Sequence, residues 1–203
     1  MKNFTSRQQP GIFFAFIVSI FALSASLIPQ QSLAQNGSPC YKPIIGPGTS
    51  AAAVNSGVTV GFSTGNGVNN LTNGNTGDFA EINNLLSLLG SEGIRVANAN
   101  VTYPAGWHAG YVVSFGSSGL INAAVLGGIR LETFNNGNFV EGRTLNTGIG
   151  VTLLAGGGSD KAYLNFKTTA VFDEVRLIFS TPVNATLAAS TLKIYYANAF
   201  DPA

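Results

Sequence analysis

Residues with reactive or cross-linking side chains are scarce in this sequence of 203 amino acids. It contains one Cys, one His, one Trp and one Met, and charged residues make up 9% of the chain. A single Cys, Cys40, excludes an intramolecular disulfide, so a folded domain has to be stabilised by its apolar core. A chain of this size can bury about two-thirds of the surface that its unfolded form exposes, which is enough for such a core.

The sequence also lacks an excess of positive charge. Its formal net charge is +1 at pH 7, and without Lys2 and Arg7 eight basic residues face nine acidic ones. Binding to nucleic acid or to an anionic membrane surface requires a basic field, so neither is expected. Polarity comes instead from Asn, Ser, Thr and Gly. That composition suits an extracellular module that contacts neutral polymers, and equally a plain structural domain.

Residues 1–34 have the features of a secretory signal peptide. Lys2 and Arg7 form a positive region, an uncharged apolar stretch follows from Gly11 to Ile28, and Ser32-Leu33-Ala34 supplies the small residues of a cleavage site. We therefore expect an exported protein that begins at Gln35 and has no membrane span after cleavage, located in the periplasm or outside the cell. The alternative is an uncleaved anchor, because about 17 apolar residues can just span a bilayer.

The remainder is predicted to be one all-β domain. Prolines and glycines indicate an irregular lead-in over residues 35–56. From 57 to 203, short runs of β-forming residues alternate with Gly and Asn turns, which predicts about eight strands. A two-sheet antiparallel β-sandwich of the jelly-roll type is the expected way to cover the apolar face of each sheet.

Several runs show the alternation that is typical of half-buried strands. They lie at 58–62, 107–115, 129–134, 139–143, 163–168, 175–179 and 192–196. Asn135–Asn138 contains an Asn-Gly pair, which favours a tight hairpin. Alternation places Trp107 on the face of Tyr111 and Val113, so Trp107 is predicted to be in the core. Leu85–Leu89 is the one segment with the features of a helical turn.

Five segments, in this order, carry a resemblance to a known class of module: GVNNLTNGNTGDFAEI, YPAGWHAGYVVSF, GIRLETFNNG, VFDEVRLIFSTPV and LKIYYANAF. They resemble the galactose-binding-like β-sandwich modules of the discoidin and carbohydrate-binding superfamily. The resemblance implies a jelly-roll sandwich, binding of carbohydrate, and a place among the secreted and adhesin-type surface proteins of Gram-negative bacteria. Binding residues of that superfamily lie on variable loops, so none is carried over to this chain.

A catalytic set is not recognised in the sequence, and the protein is predicted not to be an enzyme. His108 is the only His, so a nucleophile with a histidine base would depend on this residue alone. Asp173 and Glu174 are adjacent on a predicted strand, where their side chains point to opposite faces and cannot share a proton. We expect Asp173 to cap a turn or to form a hydrogen bond with the backbone, and Glu174 to pair with Arg176.

A calcium site is one hypothesis for the Gly-rich loop that contains Asn73, Asn75 and Asp78. Amide and carboxylate oxygens suit Ca²⁺ rather than Zn²⁺. The spacing does not follow the EF-hand loop, and the alternative is a simple Asn-Gly turn. No cofactor is otherwise expected.

Candidate ligand-binding residues are the aromatic, amide and guanidinium side chains near the predicted loop ends. They are Tyr103, Trp107, Phe134, Asn135, Asn136 and Arg143. Sugars stack their apolar faces on aromatic rings and form hydrogen bonds to planar amides.

The leading hypothesis is an exported, non-catalytic module for binding or adhesion, with carbohydrate or a cell-envelope polymer as its partner. One alternative is a purely structural envelope or matrix subunit that has no small ligand and assembles through exposed strand edges. Another is a secreted hydrolase whose site the sequence does not reveal.

Overall fold

The computed structural model describes residues 42–58, 63–83, 89–115, 126–154, 161–180 and 191–201. All of these ranges belong to the unit Pro39–Ala203. The predicted signal peptide, Cys40 and most of the segment Leu85–Leu89 lie outside the described residues.

Strands account for most of the described chain. They are β1 (Thr49–Val58), β2 (Ser63–Asn66), β3 (Ala80–Asn83), β4 (Leu89–Asn98), β5 (His108–Phe115), β6 (Ile129–Asn135), β7 (Asn138–Thr144), β8 (Gly150–Leu153), β9 (Lys161–Lys167), β10 (Glu174–Ser180) and β11 (Leu192–Phe200). Two short 3₁₀ helices, η1 (Val68–Thr72) and η2 (Leu145–Thr147), lie between them. Within the described ranges, no helix has the length and apolar character needed to cross a membrane.

The strands form two antiparallel sheets. One has five strands in the order β1-β4-β10-β6-β7, and the other has six in the order β2-β3-β11-β5-β9-β8. Every strand pair is antiparallel. The predicted two-sheet antiparallel sandwich is confirmed, with more strands than the sequence pattern indicates.

Alternating side chains from both sheets meet in one apolar core. Ala109, Tyr111 and Val113 of β5 are fully buried, as their alternation predicts, and they pack with Ile94 and Leu177 of the other sheet. Burying a large apolar side chain contributes about 1.5–3 kcal/mol, so this core can stabilise the domain without a disulfide.

The start of the domain differs from the prediction. Residues 49–56 belong to β1, which pairs with β4 without interruption from Thr49↔Asn98 to Val58↔Leu89. The expectation of an irregular lead-in therefore does not hold for these residues. Ser50–Val54 is a run of small residues with weak alternation, so it is a strand chiefly because β4 supplies its hydrogen-bond partners.

The outer face of the six-stranded sheet carries a second, smaller apolar cluster. Val112, Tyr163, Tyr195 and Phe200 are buried there, on the side opposite to the main core. Lys161 Nζ lies 3.5 Å from the centre of the Tyr195 ring. A lysine side chain can cover apolar surface with its stem while its ammonium group stays near water or over an aromatic ring. The outer face of this sheet therefore carries both polar and apolar residues.

Candidate ligand-binding site

Loops at one end of the sandwich carry most of the residues that the sequence predicts for ligand binding. Backbone hydrogen bonds connect these loops, from Asn98 N to Asp173 O (2.8 Å), from Tyr103 N to Phe172 O (2.7 Å) and from Asp173 N to Phe134 O (3.0 Å). We call this region, residues 98–107, 134–139 and 168–176, the loop end. Its parts are far apart in sequence but are joined into one surface by these bonds.

An aromatic stack forms the first part of the loop end. The ring of Tyr103 lies 5.1 Å from that of Phe172 and 6.1 Å from that of Trp107, measured between ring centres. Phe172 is fully buried, whereas Tyr103 and Trp107 are half-buried and pack against the main core. The prediction that Trp107 is a core residue holds only in part, because Trp107 precedes β5 and keeps part of its surface in contact with solvent.

Amide groups border this stack. Asn98 Oδ1 accepts a hydrogen bond from Asn100 N (3.0 Å), and Asn100 Nδ2 donates to Pro47 O (3.3 Å). Burial raises the pKa of the Tyr103 phenol, and a hydrogen bond with the Asn98 side chain partly offsets that effect. Tyr103 therefore remains neutral at physiological pH. Asn98 and Asn100 are not among the residues predicted from sequence, because they lie at the end of β4, whose glycines and small residues obscure the strand pattern.

A second aromatic group lies on the outer face of the five-stranded sheet. The ring centres of Phe134 and Phe139 are 5.6 Å apart in an edge-to-face arrangement. Arg176 covers Phe134, with its Cζ atom 3.5 Å from the ring centre. Phe134 is only 8% exposed, but Phe139 is 59% exposed. Phe139 is therefore the most accessible ring of the loop end, and it was not among the residues predicted from sequence.

The β6–β7 hairpin supplies further amides. Asn136 and Gly137 both have positive φ angles, of 51° and 76°, as a tight hairpin turn with an Asn-Gly pair requires. Asp173 Oδ2 accepts a hydrogen bond from Asn136 N (2.8 Å), so the predicted turn-capping role of Asp173 is confirmed. Asn135 Oδ1 is buried and has no hydrogen-bond partner among the described residues.

Arg143 lies apart from these groups. Its Nη2 atom donates to Glu141 Oε2 (2.9 Å), and its Nη1 atom donates to Gly142 O (2.9 Å). The guanidinium carbon is 5.7 Å from the centre of the Phe166 ring, on the side of the sandwich where β7 and β9 approach each other. Arg143 is linked to the loop end indirectly, through Glu141, whose carboxylate accepts hydrogen bonds from Thr169 N (2.6 Å) and Thr169 Oγ1 (3.0 Å).

Three charged residues next to the aromatic rings form an ion-pair network. Glu174 forms ion pairs with Arg95, at 3.0 Å, and with Arg176, and its side chain is only 4% exposed. The predicted pairing of Glu174 with Arg176 is confirmed, and Arg95 is an additional partner. This arrangement fixes the guanidinium group of Arg176 over Phe134, and Glu174 shares its single negative charge between the two arginines.

The proposed calcium ligands do come together, but in a loop that satisfies its own polar groups. Asp78 accepts hydrogen bonds at both carboxylate oxygens, from Asn73 Nδ2 (2.9 Å) and Asn75 Nδ2 (2.9 Å). The oxygens of both amides in turn accept backbone N–H bonds, from Asn75 (2.8 Å) and Gly77 (3.0 Å). Calcium needs about six oxygen ligands that point inward, so a cation in this loop would have to displace these hydrogen bonds.

His108 is part of the outer-face cluster of the six-stranded sheet. Its Nδ1 atom lies 2.7 Å from Asn165 Oδ1, and its ring centre is 5.1 Å from that of Phe200. The amide of Asn165 and the ring of Phe200 therefore hold the His108 imidazole in position. Across the part of the chain that the structure describes, there is also no group of three or more His, Cys, Asp or Glu side chains that could hold a metal ion.

Comparisons with known proteins do not assign the chain to a family. No family model matches it, and no curated protein matches it. Among solved structures it is similar to a carbohydrate-binding module from Clostridium perfringens, determined in complex with GalNAc-β-1,3-galactose. The match has 16% sequence identity and a TM-score of 0.39, and it covers 75% of this chain and 95% of that chain. A likeness at this level decides neither topology nor ligand, so both are argued from the chain's own residues.

Proposed function

We propose that this protein is an exported, non-catalytic module that binds carbohydrate at the loop end. One observation carries the proposal: an aromatic stack (Tyr103, Trp107, Phe172) and an exposed ring (Phe139) lie on the same end of the sandwich, beside asparagine amides. Aromatic faces stack on the apolar CH surface of sugars, and planar amides form hydrogen bonds to hydroxyl groups.

The charge of the loop end favours a neutral sugar. Arg176 is paired with Glu174, and Asp173 accepts the backbone N–H of Asn136. Tyr103 is a neutral phenol at physiological pH, and burial raises its pKa further. The groups that are left to meet a ligand are amides, a phenol and aromatic rings, and these groups recognise hydroxyls rather than carboxylates or phosphates.

The carboxylates of this region support a non-catalytic role. Glycoside hydrolysis requires two carboxyl groups that face a shared cleft. Here Asp173 caps the hairpin and Glu174 is buried between two arginines. Both are therefore committed to structural contacts.

A panel of neutral oligosaccharides, titrated into the purified mature protein by calorimetry after a glycan array, tests the proposal. We expect Phe139→Ala and Trp107→Ala each to weaken binding by about 2- to 10-fold, since a stacking contact contributes about 0.5–1.5 kcal/mol. Leu153→Ala is the matched control, because Leu153 is 70% exposed on the edge strand β8. No binding to any sugar, or an equal loss in the control, would contradict the proposal.

We further propose that the bound carbohydrate belongs to a cell envelope, so that the protein adheres to cells. This rests on the predicted signal peptide of residues 1–34 and on the neutral loop end. Retention of the mature protein on whole cells, competed by the sugar that binds best, is the corresponding test. The alternative, a structural envelope or matrix subunit without a small ligand, is favoured by one observation: the edge strand β1 is long and uncharged.

A further inference from the structure

We propose that β1 pairs edge to edge with β1 of a second copy of this chain, so that two five-stranded sheets join into one continuous antiparallel sheet. This inference is independent of the proposed function, because no loop-end residue takes part in it. It rests on a comparison of the four edge strands in the described part of the chain.

Three of the edge strands are protected against pairing with another strand. β2 and β8 are four residues long, and the pairing of β2 with β3 is interrupted by a register shift. β7 carries Glu141 and Arg143, and its pairing with β6 also shifts in register. Short length, charge and bulges are the usual devices that prevent edge strands from associating.

β1 has none of these devices. Its ten residues, TSAAAVNSGV, contain no charged residue and no proline, and its register with β4 is continuous. Ser50, Ala53 and Asn55 are exposed. A long, regular and uncharged edge presents a row of backbone donors and acceptors to any strand of matching length.

Among the described residues, the backbone of β1 forms few hydrogen bonds with segments other than β4. Apart from its ladder with β4, the one hydrogen bond between the backbone of β1 and another described segment joins Thr49 N to Gly46 O (3.1 Å). The helix η1 lies close to β1 but forms no backbone hydrogen bond with it. Its buried side chain, Leu71, packs into the main core instead.

A second copy is the partner that fits this edge. Two identical strands that pair antiparallel are related by a two-fold axis, so each contact is made twice. With the axis at Ala53, Ala53 faces its own copy, Ala52 faces Val54 and Ala51 faces Asn55, so neither charged nor bulky side chains meet. These side chains carry no charge or bulky group that would recognise a different protein. A second copy of the same strand fits by symmetry alone.

The antiparallel arrangement has a functional consequence, which does rest on the proposed function. The loop end lies beyond the end of β4 at Asn98, next to the start of β1 at Thr49. A two-fold axis across β1 therefore places the two loop ends at opposite ends of the joined sheet. Such a dimer would link two sugar chains rather than bind one chain twice.

Sedimentation of the full mature chain over a range of concentrations tests this pairing, with Ala53→Lys and Ala53→Glu as the variants. We expect the native chain to dimerise with increasing concentration. Each charged variant should dissociate at least about tenfold more readily, because like charges then face each other across the axis. An equimolar mixture of the two variants should restore the dimer. Asn146→Lys, which introduces the same charge at an exposed position of η2, is the control and should dimerise normally.

Amide hydrogen exchange of the native chain gives a second readout that does not depend on how well the variants fold. The amides of β1 should gain protection as concentration rises, while those of β8 should not. A native chain that is monomeric at all concentrations would overturn the proposal. So would a dimer that persists in both charged variants, or one whose exchange protection lies outside β1. Sugar binding is measured separately on the monomeric Ala53→Lys variant. A failure of the pairing can then be distinguished from a failure of the proposed function.

Discussion

The phenol of Tyr111 in the six-stranded sheet donates a hydrogen bond of 2.7 Å to the carbonyl oxygen of Val175 in the five-stranded sheet. The same hydroxyl lies 3.2 Å from the carbonyl oxygen of Ile94. Tyr111 is fully buried, so this contact ties two strands of one sheet to the centre of the other. It is a direct polar link between the centres of the two layers.

Tyr111→Phe should therefore lower the free energy of unfolding by about 1–2 kcal/mol, because it removes a buried hydrogen bond while it keeps the ring. Urea denaturation followed by tryptophan fluorescence measures this change. Tyr195→Phe is a useful control, since that hydroxyl has only a long contact of 3.4 Å with Ser114. Equal stability of the native and Tyr111→Phe proteins would contradict the structural role assigned to this hydroxyl.

The same residue predicts a loss of stability in alkaline solution. Burial raises the pKa of the Tyr111 phenol well above its ordinary value, and the nearby negative charge of Glu174 acts in the same direction. In the unfolded chain a tyrosine loses its proton near pH 10, so above this pH the unfolded state binds fewer protons than the folded state. Stability is then complete below about pH 10 and falls as pH rises toward the folded-state pKa. We expect the decline to be shallower in Tyr111→Phe, measured by denaturation at several pH values. Parallel curves for the two proteins would count against this assignment.

Gly93→Ala should destabilise the five-stranded sheet. A Cβ atom at position 93 would lie 2.2 Å from the carbonyl oxygen of Leu177 on the neighbouring strand, whereas a Cβ atom at Gly127 would meet nothing within 4 Å. Overpacking of this kind costs about 1–3 kcal/mol or more, while Gly127→Ala should stay within about 0.5 kcal/mol of the native protein. Thermal unfolding of the two variants side by side measures the difference, and similar melting temperatures would show that the sheet can relax around position 93.

Glu174→Gln should cost more stability than Glu132→Gln. Glu174 serves Arg95 and Arg176, whose side chains are 39% and 21% exposed, whereas Glu132 pairs with Arg130, which is 52% exposed. We expect a loss of about 1–3 kcal/mol for Glu174→Gln, because charge-assisted hydrogen bonds to a buried carboxylate are the strong ones. For Glu132→Gln we expect about 0–1 kcal/mol, because its ion-pair partner, Arg130, is more than half exposed and a solvated cation contributes little. Reversal of this order in chemical denaturation would show that the network behind Arg176 contributes little.

The loop of Asn73, Asn75 and Asp78 predicts insensitivity to calcium. Because its oxygens already accept hydrogen bonds from the loop itself, the melting temperature of the native protein should be the same in Ca²⁺ and in chelator. Asp78→Ala should lower stability by about 1 kcal/mol in both conditions, since two amide donors lose their acceptor. A rise in melting temperature with Ca²⁺ in the native protein, absent in Asp78→Ala, would instead support the calcium hypothesis.

Strands with regular alternation were the part of the fold that could be predicted from sequence. In β5, β9 and β10 every second residue is apolar and buried in the main core, as in Leu164–Phe166 and Val175–Leu177. The Asn136-Gly137 turn could also be predicted, because few residue pairs tolerate two positive φ angles. Neither β1 nor β4 was predicted as a strand, since small residues and glycines such as Gly93 obscure the two-residue period.

The types of residue at the candidate site could be predicted from the sequence. Which individual residues lie there could be predicted only in part. Tyr103, Trp107 and the hairpin asparagines were recognised because aromatic and amide residues next to turns are suitable for sugars. Arg143 shares that chemistry, but its register on β7 directs it toward Phe166 instead. The positions of Phe139 and Arg176 at the site are set by strand pairing. Phe134 is paired with Phe139 on β7 and with Glu174 on β10.

The sequence by itself determined the class of the fold, because the period of apolar residues and the chemistry of turns are local properties. It also determined the chemistry available to a ligand, since amides and aromatic rings greatly outnumber charges. Only the tertiary structure decided which of these groups meet at the loop end, and which edge strand was left unprotected. Both depend on pairing between strands that are distant in sequence, and such pairing is selected by the packing of the whole sandwich rather than by any one segment.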